Sequence, residues 1–230
     1  MIRRQRHVFF VFAAASLLLA ACASGADAAP TLIVVPTSTN AAATNTPEAS
    51  ATPAPVADVF YNFLESACDA EWSNNGQTLS CPGSQWHTIG PGFVGVIEDA
   101  VVEGDQQPGE PVLLTHPATS GGYRGIFGAY PPIRIQAGDE FRATIGCLYG
   151  VEAESCDADF ALEYIDETGE YISSGLQWHV VNDGQMTEIS ADLSFLAGQS
   201  IQLVLVVRDN GSPSGDYAVW VFPALWRVSP

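Results

Sequence analysis

The chain alternates apolar and polar residues at period two, and almost nowhere at the helical period. Phe141-Arg142-Ala143-Thr144-Ile145 alternates, as does Phe160-Ala161-Leu162-Glu163-Tyr164. Thr187, Ile189, Ala191 and Leu193 interleave with Glu188, Ser190 and Asp192. Ile201 to Val207 is a nearly continuous β-branched and Leu run, the pattern of a strand buried on both faces. Tyr217 to Phe222 reads as a further strand that Pro223 ends or bulges. Val59–Leu64, Phe93–Val102, Val112–Thr115 and Ile133–Ile135 are earlier candidates, and Trp178-His179 falls within another. Turn residues separate these runs, as in Ala137-Gly138-Asp139, Glu167-Thr168-Gly169, Asn182-Asp183-Gly184 and Asp209-Asn210-Gly211. Only Phe60–Ala67 and Asp192–Leu196 allow a helical turn. Short strands at this spacing predict an all-β fold, an antiparallel β-sandwich of jelly-roll type.

The predicted sandwich occupies residues 58–230. What precedes it has another character. Arg3, Arg4 and Arg6 lead into an apolar run from Val8 to Ala21, too short to span a bilayer of about 20 helical residues and suited to an export signal over residues 1–21. The run closes on Leu19-Ala20-Ala21-Cys22, which resembles the bacterial lipobox. That resemblance implies a diacylglyceryl thioether on Cys22, extracytoplasmic display and membrane contact through lipid alone. Two or three acyl chains, at about 0.8 kcal/mol per buried methylene, give stable anchoring. Residues 22–57 then read as a disordered tether rich in Ala, Thr and Pro, with Asp27 and Glu48 its only charges. At roughly 3.1 Å per residue it would reach about 100 Å.

Charge narrows the function. The 230 residues carry a formal charge of -18, and all eight basic residues are Arg. Without Lys there is no phosphate-loop lysine, Schiff base or Ser–Lys pair. A strongly acidic chain also lacks the clustered positive charge that nucleic acid requires. Five Cys remain. With Cys22 lipidated, four are left in an oxidising compartment, and three pairings are possible. The local one, Cys68–Cys81 and Cys147–Cys156, closes two short loops. The rival, a four-cysteine zinc site, lacks a C-x2-C pair.

The C-terminal part resembles a known family. Gly138-Asp139-Glu140-Phe141-Arg142-Ala143 is followed by the step Asp192-Leu193-Ser194. Leu203-Val204-Leu205-Val206-Val207-Arg208-Asp209-Asn210-Gly211 comes next, and Asp216-Tyr217-Ala218-Val219-Trp220 closes the series. This is similar to the novel putative carbohydrate-binding module family of bacterial β-sandwiches, over roughly residues 133–228. Residues 58–132 do not fit that family; they resemble a cysteine-containing domain recurring in bacterial surface proteins. The resemblance implies a glycan or another extracellular polymer as ligand.

Sugar binding of that kind stacks rings on exposed aromatics. Trp178 would serve if it points outward, since only one of Trp178 and His179 can face the core. The Gly-rich stretch Thr119–Gly125 offers Tyr123 for stacking and Arg124 as a hydroxyl or carboxylate donor. Trp220 is expected in the core, and Trp72 and Trp86 on the Cys68–Cys81 disulfide. The acidity admits a structural calcium at Asp209, Asn210 and Asp216, or beside Asp157 and Asp159. Catalytic motifs are missing: there is no G-x-S-x-G and no H-E-x-x-H, and His87, His116 and His179 lie far apart. A non-catalytic binding module is expected. A structural or protein-interaction domain of the cell envelope is the alternative, and a glycoside hydrolase the least favoured.

Overall fold

The computed structural model describes residues 56–74, 76–83, 90–118, 124–150 and 156–228. The export signal, Cys22 and the tether lie outside the described residues, as do Trp86, His87 and Tyr123. Thirteen strands are present among the described residues: β1 (Ala57–Asn62), β2 (Glu71–Asn74), β3 (Gln77–Thr78), β4 (Phe93–Ile97), β5 (Val112–His116), β6 (Gly125–Ala129), β7 (Ile133–Arg134), β8 (Glu140–Cys147), β9 (Asp157–Ile165), β10 (Tyr171–Val181), β11 (Thr187–Asp192), β12 (Ser200–Asp209) and β13 (Ala218–Val228).

They form two antiparallel sheets. The first has the order β11-β8-β13-β5-β4, with β1 also on β13; the second runs β10-β9-β12-β6-β2-β3, with β7 on β12. From β5 onward the chain crosses between sheets at nearly every step. The four-strand orders β11-β8-β13-β5 and β10-β9-β12-β6 that result are those of a jelly roll. The expected β-sandwich is therefore the fold.

Alternation places the core. Phe141, Ala143 and Ile145 of β8 meet Ala158, Phe160 and Leu162 of β9, and Ile201, Leu203, Leu205 and Val207 of β12, between the sheets. Trp220 is fully buried among them. Its ring lies 4.8 Å edge-on from Phe160 of the opposite sheet, and its Nε1 donates to Thr115 Oγ1 at 3.3 Å. At one end Phe63, Tyr130 and Phe141 pack edge to face, and Tyr130 Oη donates to Phe63 O. A second, smaller core lies on the outer face of the first sheet, where Val102 packs with Val112, Leu114, Val219 and Val221. Glu103 anchors that cover. Its buried carboxylate accepts the Cys147 amide at 2.8 Å and the Gly184 amide at 3.2 Å. Burial pushes its carboxyl up, against the pull of those two amides.

Both disulfides are the local ones, Cys68–Cys81 and Cys147–Cys156, the second joining the end of β8 to the start of β9. No zinc arrangement of the four cysteines remains. Pro223 bulges its strand rather than ending it: the pairing of β13 with β8 shifts between Val221 and Ala224, and β13 continues to Val228. Asp192–Leu196 contains a short 3-10 turn at Ser194–Leu196.

Strand β6 packs directly on Trp72. A Cβ at Gly128 would fall 2.5–2.7 Å from the Trp72 ring, whose Nε1 is held by Ala67 O at 2.6 Å. Gly128→Ala should therefore cost about 1–3 kcal/mol by overpacking. Urea unfolding measures this, and an unchanged midpoint would contradict the packing.

Candidate functional site

The outer face of the second sheet gathers the chain's surface chemistry. In register, Val206 of β12 lies between Ala161 of β9 and Phe127 of β6. Ala161, Val204 and Val206 form a small buried patch there, with Phe127, Ala129 and Ile165 against it. Arg208 and Glu163 bridge this patch. Arg208 Nη2 donates to both Glu163 oxygens at 2.8 and 2.9 Å, and the guanidinium lies over the Phe127 ring at 5.6 Å. Glu163 also accepts the Tyr171 hydroxyl and Ser173 Oγ. A carboxylate with three donors is fixed in one orientation, as is the guanidinium opposite it. Tyr171 sits edge-on to Phe127 at 6.3 Å and is 44% exposed.

Beside this cluster is a groove of about 660 Å³, bounded by Tyr171, Phe127 and Val204 on one side and by Ser73, Thr78 and the Cys68–Cys81 disulfide on the other. Towards the opposite end of the face, His179 Nδ1 lies 3.0 Å from Asp159 and its Nε2 3.6 Å from Asp157. The result is a shallow trough with two rings, hydroxyls and fixed charges. It can take an extended, hydroxyl-rich ligand.

The residues singled out in the sequence fare differently. Trp178 is half-buried and packs against the inter-sheet core, and its neighbours Gln177 and His179 are the exposed ones. The strand's alternation turns it inward, so the condition for a stacking platform, an outward Trp178, is not met. Arg124 precedes β6, and its Nε lies 3.0 Å from Asp209 Oδ2. Trp72 is buried in the core and lines the groove together with Cys68 and Cys81. His116 is buried, stacked on Phe93 at 5.3 Å, and burial pushes its imidazole down. Sequence reading passed over Phe127, Glu163, Tyr171 and Arg208. The available signal was alternation in β12, where Arg208 continues the outward row of Val204 and Val206.

The residues put forward for calcium, Asp209, Asn210 and Asp216, lie near Asp157 and have partners within the protein. Asp209 faces Arg124, Asn210 donates its side-chain amide to Asp157 Oδ1 at 3.1 Å, and Asp216 Oδ1 accepts the Asp157 amide at 2.9 Å. Among the described residues no three His, Cys, Asp or Glu side chains are grouped to hold a metal.

No family model matches the chain, and no curated protein sequence matches it. Among solved structures, the chain is similar to the CBM22-1 xylan-binding domain of Paenibacillus barcinonensis Xyn10C. The identity is 15% over 77% of this chain and 99% of that one, with a TM-score of 0.46. It is also similar to CBM51-2 with the INT domains from Clostridium perfringens ZmpB, a structure in complex with GlcNAc. There the identity is 18% over 61% of this chain, with a TM-score of 0.42, and the match spans only 29% of that chain's length.

Asp216 carries a test of the electrostatics. Its side chain is buried, and its Oδ2 has no hydrogen-bond partner. Burial above all, then the nearby Asp209 and Asp157, push its carboxyl up to about 7, against the Asp157 amide and Arg124. The folded protein thus holds a proton that the unfolded chain releases near the ordinary Asp value of about 3.9. The stability from that proton is complete below about pH 4 and is lost as pH rises through about 7. Asp216→Asn keeps an oxygen for the Asp157 amide and cannot ionise. The variant should gain stability relative to the parent between pH 4 and pH 8 in urea unfolding. A difference independent of pH would contradict a proton on Asp216.

Proposed function

We propose that the chain is a non-catalytic glycan-binding module, displayed outside the cytoplasm on a lipid-anchored tether. One observation carries the reading: Tyr171 and Phe127 stand beside an open groove, next to a Glu163–Arg208 pair fixed by further hydroxyl donors. A sugar ring has apolar faces and a polar rim. The two aromatic rings suit the faces, while Ser73, Thr78 and the Glu163 cluster suit the rim. The trough runs across several strands, which suits an extended polymer better than a free monosaccharide. Asp157, Asp159 and Glu163 on the same face disfavour anionic polysaccharides.

Display rests on the N-terminal sequence. The Arg-led apolar run ending at Cys22 directs export and acylation, and residues 23–57 hold the sandwich away from the bilayer. Two disulfides suit an oxidising compartment. A strongly acidic chain would also be repelled by an anionic lipid surface.

Affinity electrophoresis against neutral polysaccharides tests the binding. Tyr171→Ala should weaken retention at least tenfold, about 1.4 kcal/mol, while the protein stays folded and loses about 1–3 kcal/mol of stability with the hydroxyl that Glu163 accepts. Equal retention of parent and variant, or no retention of the parent in any neutral polysaccharide, would refute the reading. For display, Cys22→Ser should move the protein from the membrane to the soluble fraction. Continued membrane fractionation would refute the anchor.

A further inference from the structure

The opposite sheet carries a second cavity. The cover over its outer face, which forms the smaller core, stops short of β11 and the end of β13. There β8, β11 and β13 enclose a hollow of about 370 Å³, in the lower part of the range of about 300–1,000 Å³ for small-ligand pockets. Thr144 of β8 and Val221 of β13 face into it, the side chains of Ala143 and Ile189 turn the other way into the core, and Trp226 and Phe222 stand on one side of it.

The backbone is bent to build that wall. Phe222 adopts φ +46°, one of two non-glycine residues at positive φ among the described residues. It sits in the β13 bulge between Val221 and Ala224. Bulges of this kind re-aim side chains, and a bulky residue held in this region costs of order 1–3 kcal/mol. The bulge leaves Phe222 6.2 Å from Trp226 on one face, while Leu225 remains in the core.

Polar groups complete the hollow. Arg142 lies over the Trp226 indole at 5.0 Å and is tied to Glu140 at 2.5 and 2.9 Å. Both partners of that pair are substantially exposed, with Arg142 at 44%. Exposed ion pairs of this kind contribute about 0–1 kcal/mol, so Arg142 swings away at little cost. Trp226 Nε1 is buried without a hydrogen-bond partner. A buried indole N–H left unpaired costs about 1–3 kcal/mol. Glu188 and Ser190 of β11 present acceptors across the hollow.

We propose that this hollow is a second glycan subsite, which takes one pyranose ring of a neutral sugar. The ring lies against Trp226 and Phe222 in the place Arg142 now occupies. A sugar oxygen accepts the orphaned indole N–H, and its hydroxyls donate to Glu188 and Ser190. With Glu140 and Glu188 against Arg142 alone, an anionic sugar is disfavoured. The module would thus hold two chains, or two stretches of one chain, on opposite faces. This subsite stands on its own observations and does not require the trough on the other sheet.

Isothermal titration of the full chain with cello-, xylo-, manno- and chito-hexaose, and with the matching monosaccharides, tests it. Two sites are expected for at least one hexaose. Ser190→Tyr, at an exposed position, fills the hollow without touching the core and should remove one site. Trp226→Phe keeps a ring but removes the N–H, and should weaken the same site about tenfold. Tyr171→Ala should leave this site intact. A single site abolished by Tyr171→Ala overturns the proposal and leaves the trough standing. A single site abolished by Ser190→Tyr supports the hollow and removes the trough. Binding of monosaccharides as tight as that of hexaoses identifies a free sugar as the source. Unaltered titrations in Ser190→Tyr, or no heat with any sugar, overturn the proposal.

Discussion

Trp220 is the contact on which the sandwich depends. Its ring bridges the sheets, edge-on to Phe160 and 6.4 Å from Phe141, with its one polar atom held by Thr115. The strand that carries it pairs with β1, β5 and β8, so one buried side chain fixes the depth of a strand that sets the register of three others. Its far end is clamped by Arg227, which donates to both oxygens of the buried Asp139 at 2.6 Å and lies 3.9 Å over the Phe60 ring. Removing one partner of such a pair leaves a buried charge, so the clamp specifies the strand's place more than it adds net stability. With the interior settled in this way, the two outer faces are free to carry other chemistry.

That division explains what the family-like motifs do. Asp139 accepts the Gln136 amide and the Arg227 guanidinium; Asp192 accepts the Ser194 amide; Asp209 accepts the Gly211 amide; Trp220 fills the core. Each fixes a turn or an interior contact. Such motifs report the architecture, and the ligand is read from residues that lie between them. Glu163 and Arg208 fall inside strands whose other residues are conventional sheet formers, and only their cross-strand meeting gives them a role.

Most of the fold was legible because period-two alternation is local. Strands β8, β9, β11 and β12 stood in plain view, and so did the cysteine pairing. Strand β6 did not, because Gly125 and Gly128 remove the alternation signal, and only the packing of Trp72 against Gly128 shows why a glycine is there. The side on which Trp178 falls was left open, because inward and outward rows of an edge strand look alike in sequence, where a one-residue change of register exchanges the faces. The calcium reading rested on composition and not on placement. Acidity is a property of the composition, whereas convergence of oxygens is a property of partners, and Arg124 and the Asn210 amide were already those partners.

The central claim is that the outer face of the second sheet is a glycan-binding trough. The most direct measurement is an amide-resolved NMR titration of the full chain with neutral hexaoses. The account predicts that saturating shifts gather at Phe127, Glu163, Tyr171, Ser173 and Arg208. Saturable binding that leaves all five amides unmoved, or no shift with any sugar, would contradict it.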